Sequence, residues 1–440
     1  MTYAQCLNYL AGLGQELHGL KFGLEAISAI LAELDRPQES YATAIVAGTN
    51  GKGSTCAMLA SILQHAGHLT GLFTSPHLVR VNERMRVDGQ DVSDADFAAA
   101  FSEVAAAVDR LVARQELEKP PSFFEFLAAT AFLHFARAEA KFVVLEVGMG
   151  GRLDATNVTD PCVAVITNID YDHTEFLGST LAAIAGEKAG IMKPQRPVIS
   201  GVENEEAAAA IRAHALACGA ELVELHKVSQ ITRSHSQQGR YTFDLVLGDE
   251  YFAGLTCPLL GAYQMKNSAL AVAAAWRLRQ GGLAISRRSI VQGLRSATWP
   301  GRLEPIGRKP LVLLDGAHNP GAARELARFV QEEFARRPVR LVYASMRDKA
   351  IREIGNCLFP LAEEVWLTQP AHARAATPQE ILIALDSAPA KLQVETEPLR
   401  ALESALRASS PEDVVLVAGS LFLVGAIKQA QAEGKLHLGS

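Results

Sequence analysis

The chain has 440 residues, more than a single hydrophobic core usually organises, so its length predicts two or three domains. It carries 42 Lys and Arg against 48 Asp and Glu, a net charge of −6, and this balance argues against a strongly basic nucleic-acid-binding surface. Hydrophobic residues make up 49% of the sequence and charged residues 20%, which is typical of a packed globular protein and excludes extensive disorder.

The N-terminal segment and the cysteines give no sign of secretion or of metal binding. The first residues lack a basic region followed by an apolar run, so we expect no secretory signal. The longest apolar stretch, residues 414–427, is shorter than the roughly 20 residues that a membrane helix requires. The six cysteines form no C-x-x-C pair, which argues against a zinc site or a disulfide framework. We therefore expect a cytoplasmic protein that contacts no membrane.

Short β-branched or apolar runs in the first half of the chain alternate with Ala- and Leu-rich stretches of helical period. This alternation predicts parallel strands joined by crossover helices, and therefore an α/β fold. The predicted strands are residues 42–46, 69–73, 142–147, 163–167 and 197–200.

A glycine-rich turn follows the first predicted strand and precedes a predicted helix over residues 56–67. Its residues are Gly48, Thr49, Asn50, Gly51, Lys52, Gly53, Ser54 and Thr55. Strand, loop and helix in this order are the context of a phosphate-binding P-loop, in which glycines let backbone N–H groups converge on phosphate oxygens at a helix N-terminus. Lys52 would then neutralise the β/γ-phosphates, and Ser54 or Thr55 would offer a hydroxyl to Mg²⁺. The alternative is a glycine-rich turn capped by Ser or Thr.

Residues 221–261 differ from the rest of the first half. Runs at 231–232, 241–247 and 251–255 show alternation and turn residues without an intervening helical stretch. We interpret this segment as antiparallel hairpins at one edge of the sheet.

The α/β pattern restarts after Trp299, Pro300, Gly301 and Arg302. The predicted strands of the second half are residues 311–314, 340–344, 364–368, 392–395 and 413–418. A second α/β domain is therefore predicted to begin near residue 301. Pro and Gly there suit a hinge between the domains, although any loop could carry them.

The octet at 48–55 resembles the P-loop of the Mur ligase superfamily, in its folate branch of folylpolyglutamate and dihydrofolate synthases. Gly53 stands between Lys52 and Ser54, which departs from the common P-loop pattern and points to this subclass. Further motifs of the branch follow in the same order along nearly the whole chain, so chance is a poor explanation. They are residues 74–78 with 83–84, 123–125, 145–157, 172–178, 186–191, 263–264 with 267, 300–304 and 315–320.

The resemblance implies an N-terminal P-loop ATPase domain of Mur-ligase type over residues 1–300 and a smaller C-terminal Rossmann-like α/β domain over residues 301–440. The family forms an amide from a carboxylate, ATP and an amine through an acyl phosphate. By resemblance the amine is L-glutamate and the acid is dihydropteroate, a reduced folate or both, and analogy favours a bifunctional enzyme. The expected partners are these small molecules and not nucleic acid, and we expect a monomer.

The resemblance also implies two Mg²⁺ sites. Glu146, at the end of a predicted strand, would hold one ion together with the Ser54 hydroxyl, and His173 would bind the second. Lys188 would be carbamylated, which turns an ammonium into an anion that can approach the metals. Each residue also has a structural alternative: Glu146 as a solvated strand-end carboxylate, His173 as a helix-entry or core histidine, and Lys188 as a helix-surface lysine. A monovalent cation is also left open.

Other motif positions match the nucleotide site of the family. Asn267 and Asp315 would contact the nucleotide, Asp315 at the ribose, and Arg302 would reach the phosphates from the second domain, so that closure completes the site. His318 would meet the incoming glutamate. Each residue also has a structural alternative. Asn267 could be a polar residue on a helix face, and Arg302 an exposed arginine in a domain linker. Asp315 could belong to a turn at a strand end, and His318 could have a structural role in a turn. The residues expected to act in catalysis are Lys52, His173, Lys188, Arg302 and His318.

A third group of motif positions matches the substrate site. They are Ser75, His77, Phe123, Phe124, Arg152 and Asp154, with Ser420 near the last helix. Aromatic rings could stack on a pterin, and a carboxylate could accept hydrogen bonds from its amino-substituted ring. As alternatives, the two phenylalanines are core packing, Arg152 and Asp154 pair with each other, and Ser420 caps the last helix.

Two other classes of enzyme compete with this interpretation. A P-loop kinase or regulatory NTPase would bind nucleotide without making an amide, but it would not need His173 and Lys188. A Mur enzyme of peptidoglycan synthesis would carry a further domain before the P-loop, whereas only 47 residues precede Gly48 here.

Overall fold

The computed structural model describes residues 1–14, 23–117, 120–387, 389 and 391–438. Within these residues the first sheet has eight strands in the order β4-β3-β2-β5-β1-β6-β7-β8, with only β3 and β4 antiparallel to their neighbours. Its strands are β1 (Ala42–Ala47), β2 (Thr70–Phe73), β3 (Met85–Val87), β4 (Gln90–Asp91), β5 (Phe142–Glu146), β6 (Val163–Ile166), β7 (Pro197–Ser200) and β8 (Glu221–Glu224). The α/β fold and the five strands predicted for the first half are confirmed. They were recognisable because strands covered by helices on both faces are continuously apolar.

Helices cover both faces of this sheet. They are α1 (Tyr3–Gly12), α2 (Glu25–Glu33), α3 (Lys52–His65), α4 (Asp94–Ala113), α5 (Phe123–Arg137), α6 (Thr174–Leu177), α7 (Leu181–Ala189), α8 (Glu205–Cys218), α9 (Leu225–Val228), α10 (Tyr263–Gln280) and α11 (Arg287–Ser296). One apolar core lies between the sheet and α1, α2, α4, α5, α7 and α8, and a second lies between the sheet and α3, α10 and α11. Alternate residues of β1 contribute to the two cores, as expected for a strand whose successive side chains point to opposite faces.

The segment predicted as hairpins at the edge of this sheet folds differently. Its first residues form β8, a parallel edge strand paired with β7. The remainder forms a separate antiparallel sheet in the order β11-β10-β9, made of β9 (Ser229–Gln237), β10 (Arg240–Leu247) and β11 (Glu250–Leu260). The prediction of an edge position is therefore wrong. The apolar face of this sheet, with Phe243 and Leu245 fully buried, joins the core beside α10 and α11 instead of extending the first sheet.

In the described part of the chain, the last sheet has six strands in the order β12-β13-β17-β14-β15-β16, all parallel except β12. They are β12 (Glu304–Arg308), β13 (Leu311–Leu314), β14 (Val339–Tyr343), β15 (Glu364–Leu367), β16 (Leu392–Val394) and β17 (Val414–Ala418). Its helices are α12 (Pro320–Phe334), α13 (Ile351–Leu358), α14 (Pro378–Ala384), α15 (Pro398–Arg407) and α16 (Leu421–Ala432). The five strands predicted here are confirmed, and the domain boundary near residue 301 stays a prediction.

Two loops from the first part of the chain contact the unit built on the six-stranded sheet. Leu78 packs against the apolar cluster between this sheet and α16, and its carbonyl oxygen lies against Gly425 of that helix. The β9–β10 turn and the end of β9 lie against α12. Gly239 of the turn meets the Phe329 ring, and Ser236 Oγ of β9 donates a hydrogen bond to Glu333 Oε1 at 2.9 Å.

Gly425→Ala is expected to destabilise the contact between Leu78 and α16. A Cβ at residue 425 would overlap the Leu78 carbonyl oxygen, so the helix or the loop must shift. Overpacking of this kind costs about 1–3 kcal/mol, which thermal unfolding should register. Gly12→Ala is the matched control, because a Cβ there meets nothing within 4 Å. Equal melting temperatures for the two variants would contradict the prediction.

Candidate active site

A cavity of about 980 Å³ lies between the carboxyl ends of the first sheet and of the six-stranded sheet. This is the edge at which open α/β sheets bind ligands. The sequence-predicted site residues that line it are Gly48, Thr49, Asn50, Gly51, Lys52, Gly53, Ser54, Ser75, Phe124, Glu146, Arg152, Asp154, His173, Lys188, Asn267, Arg302, Asp315, His318 and Ser420. Residues from distant parts of the chain thus face one space.

The glycine-rich turn connects β1 to α3 with Gly51 at the helix N-cap, where φ is +83°. Its shape is fixed by the loop after β6, since Asn50 N donates to Asn168 Oδ1 at 2.7 Å and Thr167 Oγ1 donates to the Asn50 carbonyl at 2.6 Å. The helix begins at Lys52 and not at residue 56 as predicted, because the left-handed Gly51 directs the chain into the helix at once. The N–H groups of the first turn therefore lie at the cavity.

Two lysines converge on this turn. Lys52 Nζ donates to the carbonyl oxygens of Gly48 at 3.0 Å and Thr49 at 3.1 Å, and Lys188 Nζ donates to the same Gly48 oxygen at 3.1 Å. Lys188 is 5% exposed, and burial together with the charge of Lys52 lowers its pKa to about 7. The alternative of a helix-surface lysine is therefore wrong, and a substantial fraction of Lys188 is uncharged near neutral pH.

Two carboxylates lie on the cavity wall. Glu146 is 4% exposed at the end of β5, where Ser75 N donates to its Oε2 at 3.1 Å. Burial raises the pKa of Glu146, and the charges of Lys52 and Arg302 oppose that rise. The alternative of a solvated carboxylate is therefore wrong. A buried carboxylate that accepts few hydrogen bonds from the protein keeps oxygen lone pairs for a cation or a ligand.

Asp154 is engaged more completely by the protein. Its Oδ2 accepts from the backbone N–H groups of Gly148 at 2.9 Å and Met149 at 3.0 Å, and its Oδ1 accepts from Thr156. Asp154 therefore shapes the turn after β5. Arg152 pairs with Glu187 at 2.9 Å, so the alternative in which Arg152 pairs with Asp154 is wrong.

The imidazoles of His173 and His318 are uncharged near neutral pH. Burial lowers the pKa of His173 to about 3 and that of His318 to about 4. Both imidazoles are then uncharged at pH 7, as a metal ligand or a proton acceptor must be. His318 Nδ1 lies 2.7 Å from the Gly316 carbonyl oxygen. Among the described residues no three His, Cys, Asp or Glu side chains gather as a metal site, so the predicted set depends on Lys188 and Ser54 in addition to Glu146 and His173.

The unit built on the six-stranded sheet contributes Arg302 and the turn that carries it. Asp315 is 3% exposed and accepts from Leu303 N and Ala317 N, both at 2.8 Å, so it fixes this turn as well as facing the cavity. Ser420 caps α16 by accepting from Phe422 N at 3.1 Å, which confirms the capping alternative, and it also lines the cavity.

Three predicted residues lie away from the cavity wall. His77 Nδ1 accepts from Arg84 Nε at 2.9 Å, and the Arg84 guanidinium lies over the Phe123 ring at 5.4 Å. Thr55 is fully buried in α3, so of the two hydroxyl residues Ser54 and Thr55 it is Ser54 that lines the cavity. Gln264 Nε2 donates to Ser54 Oγ at 3.3 Å.

Sequence analysis missed Asp172 and Lys349, which face the cavity beside His173. Both follow strands near the carboxyl edge of a sheet, and Asp172 begins the motif at residues 172–178. The signal was therefore present in the predicted strand ends.

In CO₂-free buffer the contribution of Lys188 to the free energy of unfolding is expected to rise between about pH 7 and pH 10.5. The pKa of Lys188 is about 7 in the folded chain and 10.5 ordinarily, so within this window the unfolded chain binds a proton that the folded chain does not. The cost of burying the ammonium is complete below the window and disappears as pH rises through it. Lys188→Met removes the titrating ammonium. Urea unfolding should therefore show that the free energy of unfolding of wild type increases relative to that of the variant across this pH window. A constant difference between the two proteins would contradict the lowered pKa of Lys188.

Comparison with known proteins agrees with the geometry. The Mur ligase middle domain model matches residues 46–275, and the Mur ligase glutamate ligase domain model matches residues 301–421. A dihydrofolate synthase/folylpolyglutamate synthase of Bacillus subtilis is 33% identical over 418 residues, which are 94% of this chain and 96% of the relative.

Solved structures agree in fold over nearly the whole chain. E. coli FolC in complex with DHPP and ADP is 32% identical with a TM-score of 0.87, and the match covers 99% of both chains. A bifunctional folylpolyglutamate synthase/dihydrofolate synthase with Mn, AMPPNP and L-glutamate bound is 32% identical with a TM-score of 0.85, and 98% of each chain is covered. No helix among the described residues combines the length and apolar character needed to cross a membrane. The chain therefore belongs to the Mur ligase family, in its branch of dihydrofolate and folylpolyglutamate synthases.

Proposed function

We propose that the protein is an ATP-dependent ligase that joins L-glutamate to the carboxylate of dihydropteroate, of a reduced folate or of both, with release of ADP and phosphate. The observation that carries this proposal is the convergence of Lys52 and Lys188 on the Gly48 carbonyl, beside the buried Glu146 and opposite Arg302. A relative of the same branch was solved with L-glutamate and a nucleotide, which supports the choice of substrates.

The first chemical step needs two anions to meet. A carboxylate oxygen of the acid attacks the γ-phosphorus of ATP, and the bond between that phosphorus and the β-phosphate oxygen breaks. The products are ADP and an acyl phosphate. Lys52, Arg302 and the N-terminus of α3 neutralise the phosphates, while Asn267 and Asp315 hold the nucleoside. Residues of both units line the cavity, and closure of the two units around the substrates would keep water away from the acyl phosphate.

The second step forms the amide. The amine nitrogen of glutamate attacks the acyl carbon, phosphate leaves and the amine releases a proton. The released phosphate can take up that proton. His318 has its pKa lowered to about 4 and is a weak base, so it contacts the incoming glutamate beside Ser420 instead. Ser75, Phe124 and Arg152 line the part of the cavity assigned to the pterin-bearing acid, with Asp154 shaping its floor.

The cavity residues fit Mg²⁺, because Glu146, Ser54 and uncharged His173 supply the oxygen and nitrogen donors for two ions. When bound, Mg²⁺ screens the repulsion between phosphate and carboxylate.

Lys188 is proposed to be carbamylated. Its uncharged nitrogen bonds to the carbon of CO₂, a proton is released, and the side chain becomes an anion beside Lys52. Intact-protein mass spectra under CO₂ should show a gain of one CO₂ that is lost on acidification and absent in Lys188→Met.

The proposal extends to the domain bounds, the cellular location, the oligomeric state and a cation. We place the domains at residues 1–300 and 301–440, the protein in the cytoplasm as a monomer, and a monovalent cation among the possible activators. Gel filtration with light scattering tests the monomer, and activity in potassium compared with tetramethylammonium buffer tests the cation.

Phosphate release and product mass test the function directly. The protein is given ATP and Mg²⁺ with dihydropteroate or tetrahydrofolate, each with and without L-glutamate. Phosphate release that requires both the acid and glutamate, with a product heavier by one glutamyl residue, is expected. Equal release without either would exclude the ligase and favour a simple NTPase.

A further inference from the structure

We propose that Asp172 and Lys349 are positioning residues that hold the two α/β units together in the geometry the ligase reaction requires. This inference rests on the proposed function. Lys349 lies between β14 and α13, and Asp172 lies in the loop between β6 and α6. Lys349 Nζ donates to Asp172 Oδ1 at 2.7 Å, and the two side chains are 9% and 11% exposed. The pair therefore joins the two units through a contact that is largely buried from solvent. Salt screens such buried charge pairs less than exposed ones.

Asp172 is also joined to the glycine-rich turn. Asn319, the N-cap of α12, donates from Nδ2 to Asp172 Oδ2 at 3.1 Å and to Asn50 Oδ1 at 2.9 Å. Asn50 Nδ2 donates back to Asn319 Oδ1 at 3.2 Å. Both hydrogens and the oxygen of the Asn319 amide are therefore engaged. The contact is a network that leads from Lys349 to the P-loop.

The network ends at the residue next to Asp172. His173 N donates to Asp172 Oδ1 at 3.0 Å, and the backbone of His173 has a φ of +52°, which is unusual for a residue other than glycine. The carboxylate that receives Lys349 thus also fixes the backbone that presents the His173 imidazole. Loss of the pair should loosen the approach of the two units and the placement of His173 together.

A double-mutant cycle on the full chain tests this role. Asp172→Asn and Lys349→Met are each expected to lower kcat about tenfold, and the double variant should fall by the same tenfold and not by a hundredfold, because both changes remove one network. The KM for ATP and for glutamate should stay within about twofold of wild type. Small-angle X-ray scattering of the ligand-free protein should show a larger radius of gyration in all three variants.

Ser236→Ala is the matched control, because it removes another hydrogen bond between the units, to Glu333, away from the cavity. It should leave kcat and the radius of gyration unchanged. Multiplicative losses, a rise in the glutamate KM for Lys349→Met alone, or unchanged scattering in the cycle would overturn the proposal. If Lys349→Met fails to fold, Lys349→Gln replaces it. Should wild type release phosphate without acid or amine, the ligase assignment fails, whereas the scattering still decides whether the pair joins the units.

Discussion

Glu146→Gln is expected to lower ATP turnover that depends on acid and glutamate on the order of a hundred- to a thousandfold, the range seen when one preorganised electrostatic group is removed. The substitution keeps the size of a 4% exposed side chain and its acceptor for Ser75 N, but it removes the negative charge that faces Lys52 and Arg302. Steady-state phosphate release across a range of Mg²⁺ concentrations measures the loss, and excess Mg²⁺ should recover part of it.

Glu250→Gln is the control for this variant. Glu250 is also a shielded carboxylate, with 12% of its side chain exposed, and it accepts from Arg279 at 3.1 Å and Arg287 at 3.0 Å, but it does not line the cavity. It should lose no more than about 1 kcal/mol of stability and keep its turnover. Comparable losses in the two variants would show that the effect of Glu146 is structural.

Gly51→Ala is expected to weaken nucleotide binding on the order of a hundredfold, since the N–H groups of the first turn of α3 lose their convergence. At a φ of +83° a Cβ is strained by about 1–2 kcal/mol, and it would overlap Asn267 Oδ1. Relief of the overlap moves either the turn or Asn267, and both are assigned to the nucleotide. Titration calorimetry with a non-hydrolysable ATP analogue measures the affinity.

Gly67→Ala separates strain from function. Gly67 has a φ of +85°, nearly that of Gly51, but a Cβ there meets nothing within 4 Å. It should destabilise the protein by about 1–2 kcal/mol and leave nucleotide binding intact. If both variants bound the analogue as wild type does, the turn would not be the nucleotide site.

Most strands could be predicted because their signal is local. The core strands β1, β5 and β17 are apolar at nearly every position, as burial on both faces demands. Strand β12 was missed because Pro305 and Gly307 lie inside it, and both residues are rare in strands except at an edge, where β12 is found. The placement of the antiparallel sheet could not be predicted, since alternation identifies an apolar face but not the surface that covers it.

The candidate site could be predicted in part for the same reason. Glu146 ends β5, and His173 and Asp315 come after β6 and β13. Parallel strands bring such residues to a common edge, and all three line the cavity. The pairing of Asp172 with Lys349 joins residues 177 positions apart on two separate sheets. No local pattern encodes the relative placement of two sheets, so that contact required the structure.

Because Lys52 and Lys188 share one carbonyl oxygen, the chemical state of one depends on the other. The charge of Lys52 helps to lower the pKa of Lys188, so a neutral residue at position 52 would raise that pKa and leave the neighbouring nitrogen more fully protonated. A protonated nitrogen has no lone pair with which to capture CO₂. A substitution of Lys52 would thus change both the phosphate contact and the Lys188 carbamylation that are proposed here, and its kinetic defect would combine the two.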